Sequence, residues 1–185
     1  MALELVRALA ATERSDNFHI ARLLVLLFAC SGREGNKSMD GFTKLAKLDF
    51  LLRYPNCLER ALIAEGKSVD KAKVQDFERT TIESKMVRFR YGPWDHRYRR
   101  WIALMVARGL VHVGIVKKTV KIWLTEQGRE VATAIAENNA YQLISDRASL
   151  ISVRFGSKSG AALKDFVYET FPELTNMKWG EEIAL

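Results

Sequence analysis

Cysteine is nearly absent from this chain, with two residues, Cys30 and Cys57, in 185. They are too few for a disulfide framework, and both fall in apolar helical stretches, so they read as reduced core thiols. Histidine is nearly as scarce, with three residues. His19, His96 and His112 stand far apart, and neither cysteine nor any carboxylate pair makes a metal-ligand spacing such as His-Glu-x-x-His. With no catalytic constellation visible, the sequence predicts no enzyme, no metal and no cofactor. Long apolar runs are missing too. The longest, 23–30, is a turn or two of buried helix and falls well short of the roughly 20 residues that cross a bilayer. Residues 1–11 are apolar but lack a basic leader and a convincing cleavage site, so the expectation is a cytoplasmic protein with no membrane span. Neither a Ser/Gly-rich or Pro-rich linker nor a repeat of fixed period is present, which argues against disorder and against a string of modules.

What is present is the composition of an ordinary globular protein, 48% hydrophobic and 28% charged, at a length that buries one good core. The net charge of +7 implies non-specific attraction to a polyanion, weakening steeply with salt. Charge alone decides little, because many proteins of this charge bind no nucleic acid.

Asp16 is placed to cap a helix carrying Phe18, Ile20, Leu23, Leu24, Leu27 and Phe28, apolar around much of its circumference and therefore central. After a polar loop at 31–38, Asp40 is placed to cap a second helix. Its buried stripe is Phe42, Leu45, Leu48 and Leu52, which leaves Lys44, Lys47 and Arg53 outside. Pro55 opens a third helix with Leu58, Ala61 and Leu62 on its apolar side. Residues 66–76 read as a polar connection.

The stretch 84–128 carries most of the functional information. Val87, Phe89 and Tyr91 alternate with Arg88 and Arg90, predicting a strand with one dry and one basic face. Gly92-Pro93 breaks it, and Asp95 is placed to cap a helix holding His96, Arg97, Tyr98, Arg99, Arg100 and Trp101 and ending at Gly109. Tyr98, Trp101, Ile102 and Met105 gather on one face of that helix. His96, Arg99, Arg100, Ala103 and Ala107 gather opposite, where small alanines between long cations let a groove or a partner helix approach closely. Two alternating strands follow, with Lys117-Lys118 at the turn between them, and Thr125 caps the next helix.

The order helix, Arg-Gly-Leu, hairpin, Leu-Thr-x-x-Gly-Arg resembles the recognition helix and wing of MarR-like and PadR-like winged-helix proteins. The resemblance implies a nucleic-acid-facing surface. The fold reading is mostly α with a small antiparallel β wing: a winged helix-turn-helix plus additional N- and C-terminal helices. It forms one compact domain over 1–185, with a winged-helix core at about 16–137 and a C-terminal helical extension at about 138–185.

Arg88, Arg90, His96, Arg97, Arg99, Arg100, Lys117 and Lys118 are therefore candidates for a nucleic-acid or partner surface. The plain alternative is a solvated helix face, ion pairs across the sheet for Arg88 and Arg90, and lysines placed at a hairpin tip for solubility. Arg97 lies nearest the apolar side and suits a structural role. Trp94 suits an anchor at the helix start better than a base-stacking residue. Trp123, Phe166, Phe171 and Trp179 are candidates for a protein interface, with core packing as the alternative for Phe166 and Phe171. Residues 156–160, Gly-Ser-Lys-Ser-Gly, lack the spacing of a phosphate loop and read as a turn before a helix.

Two blocks, Lys44-Leu45-Ala46-Lys47-Leu48-Asp49-Phe50-Leu51-Leu52-Arg53-Tyr54-Pro55 and Arg90-Tyr91-Gly92-Pro93-Trp94-Asp95-His96-Arg97-Tyr98, resemble the middle components of bacterial ABC three-component defence systems, of which the Lamassu-type anti-phage systems are an example. The ending fits the same resemblance, with Leu163-Lys164-Asp165-Phe166-Val167-Tyr168-Glu169-Thr170-Phe171-Pro172-Glu173 and then Trp179-Gly180-Glu181-Glu182-Ile183. The resemblance spans about 16–183 and implies a non-enzymatic subunit between an SMC-like ABC ATPase and an effector, often a nuclease, that helps couple DNA sensing to effector release. Any DNA contact in that setting is expected to be sequence-nonspecific. The competing expectation is a homodimeric winged-helix transcriptional regulator that places His96, Arg97, Arg99 and Arg100 in a major groove.

Overall fold

The computed structural model describes residues 11–12, 14–76, 78 and 86–183. The chain start read above, Ser84 and Lys85 of the expected strand, and the last two residues lie outside them. The first helix, α1 (Asp16–Cys30), carries an uninterrupted buried run from His19 to Leu27. Such a run, buried on all sides, can be satisfied only in the middle of a helical body, and α1 packs against both later long helices, α5 (Glu126–Glu137) and α6 (Gln142–Phe155). Its N-cap is Ser15, whose hydroxyl accepts from the Phe18 amide at 3.4 Å. Asp16 is instead the first helical residue, and its carboxylate is turned to another task described below.

A two-residue strand, β1 (Met39–Asp40), leads into α2 (Phe42–Arg53). Gly41, at φ 85°, makes the entry with no side-chain cap, so Asp40 does not cap this helix and pairs with Lys121 at 3.0 Å. Helix α3 (Pro55–Ala64) follows directly, with proline at its first position, where no amide is needed. A 3-10 turn at Asp70–Ala72 tucks Ala72 into the core.

Residues 87–94 form a hairpin, β2 (Val87–Phe89) and β3 (Gly92–Trp94), where the sequence predicted a single strand ended by Gly92-Pro93. Pro93 is tolerated because β3 is an edge strand and its missing amide leaves no ladder bond unmade. The C-terminal tail completes this small sheet. The Arg88 amide donates to the Glu181 carbonyl, the Gly180 amide to Arg88 and the Ile183 amide to Met86, each at 2.8 Å.

Helix α4 (Tyr98–Ala107) closes at Gly109, φ 68°, and the Leu110 amide returns to the Met105 carbonyl at 2.9 Å. Strands β4 (Val111–Val116) and β5 (Thr119–Leu124) pair in full register, and β1 pairs on the far side of β5, giving the antiparallel order β1-β5-β4. The Thr125 hydroxyl caps α5 by accepting from the Gly128 amide at 2.9 Å. Gly128 has no room for a side chain, since a Cβ there would lie 1.8 Å from the Leu110 carbonyl oxygen. The Leu-Thr-x-x-Gly pattern is thus the place where α5 is pressed onto the start of β4. Helices α7 (Gly160–Thr170) and α8 (Glu173–Asn176) finish the body, and the buried apolar residues form one cluster running from Ile20 to Ile183. The expectation of a mostly helical chain with a small antiparallel sheet holds. None of the helices described is long and apolar enough to cross a membrane.

Candidate functional site

The two motif blocks meet in the core. Lys47 and Arg53, read from their spacing as outward-facing, are buried, as is Asp49. The Asp49 carboxylate accepts from Arg22 Nε at 2.7 Å, from Arg22 Nη2 at 3.0 Å and from the Tyr98 hydroxyl at 2.7 Å. Arg22 also donates to His19 Nδ1 at 2.8 Å, and the His19 ring stacks on Trp101 at 4.4 Å. A second buried pair joins Arg53 to Asp95 at 2.9 Å. Asp95 in turn accepts from the Arg97 amide at 2.9 Å and from its guanidinium at 2.8 and 3.0 Å. Burial alone raises the Asp95 pKa, but the bonds from Arg97 and Arg53 hold it well below the usual carboxylate range. Burial, with Asp49 beside it, pushes the Tyr98 hydroxyl well above its ordinary value.

Helix α4 is therefore bolted to α1 and α2 along its inner face by Tyr98, Trp101, Ile102 and Met105, as its periodicity predicted. The helix begins at Tyr98, later than expected, because Asp95 is spent on a turn that binds Arg97. Arg97 lies over the Trp101 ring at 4.8 Å and is structural. Arg100 bonds Asp16 at 2.6 and 3.0 Å, and the other Asp16 oxygen accepts from Trp101 Nε1 at 3.0 Å. Of the three arginines, Arg99 alone has neither a carboxylate nor a hydrogen-bond partner among the described residues. The outward face of α4 consists of Arg99, Arg100, Ala103, Val106, Ala107 and Arg108, all exposed, with His96 exposed just before it.

The β4–β5 turn is unusual. Lys117 and Lys118 both sit at positive φ, 47° and 68°, the two-residue geometry that normally takes Asn-Gly. Next to them Ile115 is 76% exposed, so the tip is both cationic and apolar.

The remaining candidates separate. Arg88 is half-buried, donates to the Leu174 carbonyl at 3.3 Å and lies over Trp179, so it joins the tail to the hairpin. Arg90 is exposed and lies over the Tyr91 ring at 5.2 Å. The face of β2 expected to be dry is not: Phe89 and Tyr91 are exposed, at 41% and 48%. Phe171 is fully buried, edge-on to Phe50 at 5.4 Å, and Phe166 is half-buried against Phe155, so the first is a core residue and the second mostly so. Trp123 lies half-buried over Gly114 beside His112. Trp179 remains 65% exposed. Both cysteines are free, and burial pushes the Cys57 thiol up to about 12. Ser159 caps α7 by accepting from the Ala162 amide at 3.1 Å, and Lys158 pairs with Glu65 at 2.9 Å, so the 156–160 turn is occupied with local bonds. Among the described residues no group of His, Cys, Asp and Glu is placed to hold a metal.

The residues that sequence reasoning missed are Lys47 and the hairpin rings. Between α2, the β2–β3 hairpin and α4 lies a cleft of about 230 Å³, lined by Phe42, Lys47, Phe89, Tyr91, Trp94 and Arg99 among others. Part of the signal was present in the stretch 88–94, where aromatic and cationic residues alternate. The sequence matches no family model, and no curated protein or solved structure matches it.

Proposed function

We propose that the protein is a non-catalytic accessory subunit of an SMC-like ABC ATPase anti-phage assembly, built on a winged helix, bridging the ATPase and an effector and contacting DNA without sequence preference. The observation that carries the reading is the joining of the two family-like blocks. Asp49 to Tyr98 and Arg53 to Asp95 tie one block to the other in the core, which accounts for why those residue types occur together. The element order supports the winged-helix part: α1, β1, α2, then α4 followed by a hairpin whose second strand lies between β1 and β4. The DNA part is supported by the open face of α4 and by two lysines at the hairpin tip.

Co-purification from the native operon tests the assembly. A large ATPase recovered with the tagged chain, and DNA binding strongest in that complex, is the expected result. Arg99→Glu and the pair Lys117→Glu/Lys118→Glu should each weaken that binding uniformly across DNA sequences and flatten its salt dependence. Arg100→Glu is a poor probe, because it also repels Asp16. A lone homodimer that binds one operator tightly would replace this reading with that of a transcriptional regulator.

A further inference from the structure

The cleft between α2, the hairpin and α4 has a composition that the assembly reading does not use. Its walls are rings: Phe89 and Tyr91 from the hairpin, both substantially exposed, with Trp94 and Phe42 deeper. Among the described residues its charged groups are two cations, Lys47 and Arg99, and no carboxylate lines it. Lys47 is 1% exposed, yet its Nζ has a single acceptor, the Thr43 carbonyl at 3.2 Å, and no acid partner among the described residues. A buried ammonium with donors to spare is costly unless an acceptor reaches it, and the open side of the cleft is where one enters. Burial, with Lys164 nearby, lowers its pKa to about 8. Arg99 stands at the same cleft, its guanidinium unengaged by any of the described residues.

Flat walls with cations and no acids select a ligand that is flat and negatively charged. The volume suits one ring system rather than a drug-sized molecule. The surface beyond the cleft repeats the same chemistry. Phe89 lies 6.2 Å from the exposed Trp179, Arg88 lies over Trp179 at 6.0 Å, and Arg90 lies over Tyr91 at 5.2 Å. Exposed rings interleaved with arginines form the kind of platform on which successive unpaired bases stack, which a closed double helix cannot use. We propose that this cleft binds an unpaired nucleotide, its base against Tyr91, Phe89 and Trp94 and its phosphate on Arg99, with Lys47 donating from the floor. The proposal does not rest on membership of an ATPase assembly. The nucleotide can come from a single strand or be free, and the arms of the test separate the two.

The full chain is titrated with an oligothymidylate of about eight nucleotides, within the range of about 4–16 typical of single-strand sites, while its tryptophan emission is followed. Thymidine monophosphate and a blunt duplex of equal length are run alongside. Quenching by the single strand is expected, with Tyr91→Ala and Arg99→Gln each weakening it about tenfold, as loss of one stacking or one phosphate contact does. The duplex can reach Arg99 from the outer face of α4 but cannot lay a base against Tyr91, so its binding should be insensitive to Tyr91→Ala. Monophosphate binding with the same sensitivity to both variants assigns the cleft to a free nucleotide as well, whereas oligonucleotide binding alone assigns it to a strand. Both substituted side chains are exposed, so the variants fold. Lys47→Met, checked by circular dichroism, should weaken binding further. Absence of single-strand and monophosphate binding, binding indifferent to Tyr91 and Arg99, or duplex binding weakened equally by Tyr91→Ala would overturn the proposal while leaving the co-purification result untouched.

Discussion

Replacing Asp95 by alanine removes the acceptor for Arg53 and for Arg97 at once. Arg53 is 4% exposed, so in the variant its guanidinium stays in the core without the carboxylate at 2.9 Å. Breaking a buried pair from one side costs about 3–5 kcal/mol, far more than the about 0–1 kcal/mol of an exposed pair. For a chain of this length that corresponds to a fall in Tm of roughly 6–20 °C. Urea denaturation followed by circular dichroism measures the cost directly, and a double-mutant cycle tests its origin. Arg53→Met combined with Asp95→Leu should recover part of the loss, because the buried guanidinium goes together with its carboxylate and the Arg97 that loses Asp95 is partly exposed. The pH dependence has a definite sign. The folded-state pKa of Asp95 is depressed, so its contribution is fully present above the unfolded carboxylate value and is lost as pH falls through the folded one. The acid side of the stability curve should therefore steepen in the wild type relative to the double variant. A loss below about 1 kcal/mol for Asp95→Ala, the level of a surface pair, would refute the claim that this network is buried and paired.

Further outcomes follow from other parts of the structure. Gly128→Ala forces a Cβ toward the Leu110 carbonyl and should cost about 3 kcal/mol in the same urea assay, whereas a change within experimental error would mean that α5 does not press on β4. Lys117→Asn with Lys118→Gly relieves two positive-φ lysines and should raise stability by about 1 kcal/mol while weakening DNA binding, so a gain in both would separate the turn from function. Lys47 titrates at about 8 in the folded chain against its ordinary 10.5, so the unfolded chain holds the proton longer and stability rises with pH between those values, by about 3 kcal/mol at most. Lys164 acts on it from α7, Arg99 and Tyr91 line the same cleft, and Lys44 shares its helix. Denaturation of Lys47→Met across that window should lack the rise.

The elements that periodicity and capping define locally were legible. The inner face of α4, its stop at Gly109, the Thr125 cap and the β4–β5 pair need only neighbouring residues to be recognised. The ion network was not legible, because a cation at helical spacing reads as outward unless its acid is seen, and Asp95 lies 42 positions from Arg53. The hairpin was missed for a related reason. Gly92-Pro93 is a strand breaker in isolation, and only an edge position excuses the proline. Of the candidate surface, the split between Arg97 and Arg100, held by acids, and Arg99, unengaged, depends on Asp95 and Asp16, which the sequence suggested as helix caps.

The bridge made by the tail bears on the order in which the molecule can assemble. Val87 bridges Glu182, a separation of 95 positions (87 to 182), and Arg88 is held on the same side by Gly180 and Glu181. During synthesis the long helices, the β4–β5 pair and the β2–β3 hairpin packed on α2 can close over contacts that are already made, but the outer edge of β2 has no backbone partner from the tail until residues 180–183 emerge. A nascent chain stalled before residue 180 therefore carries an uncovered β2 edge, open to strand pairing with another copy.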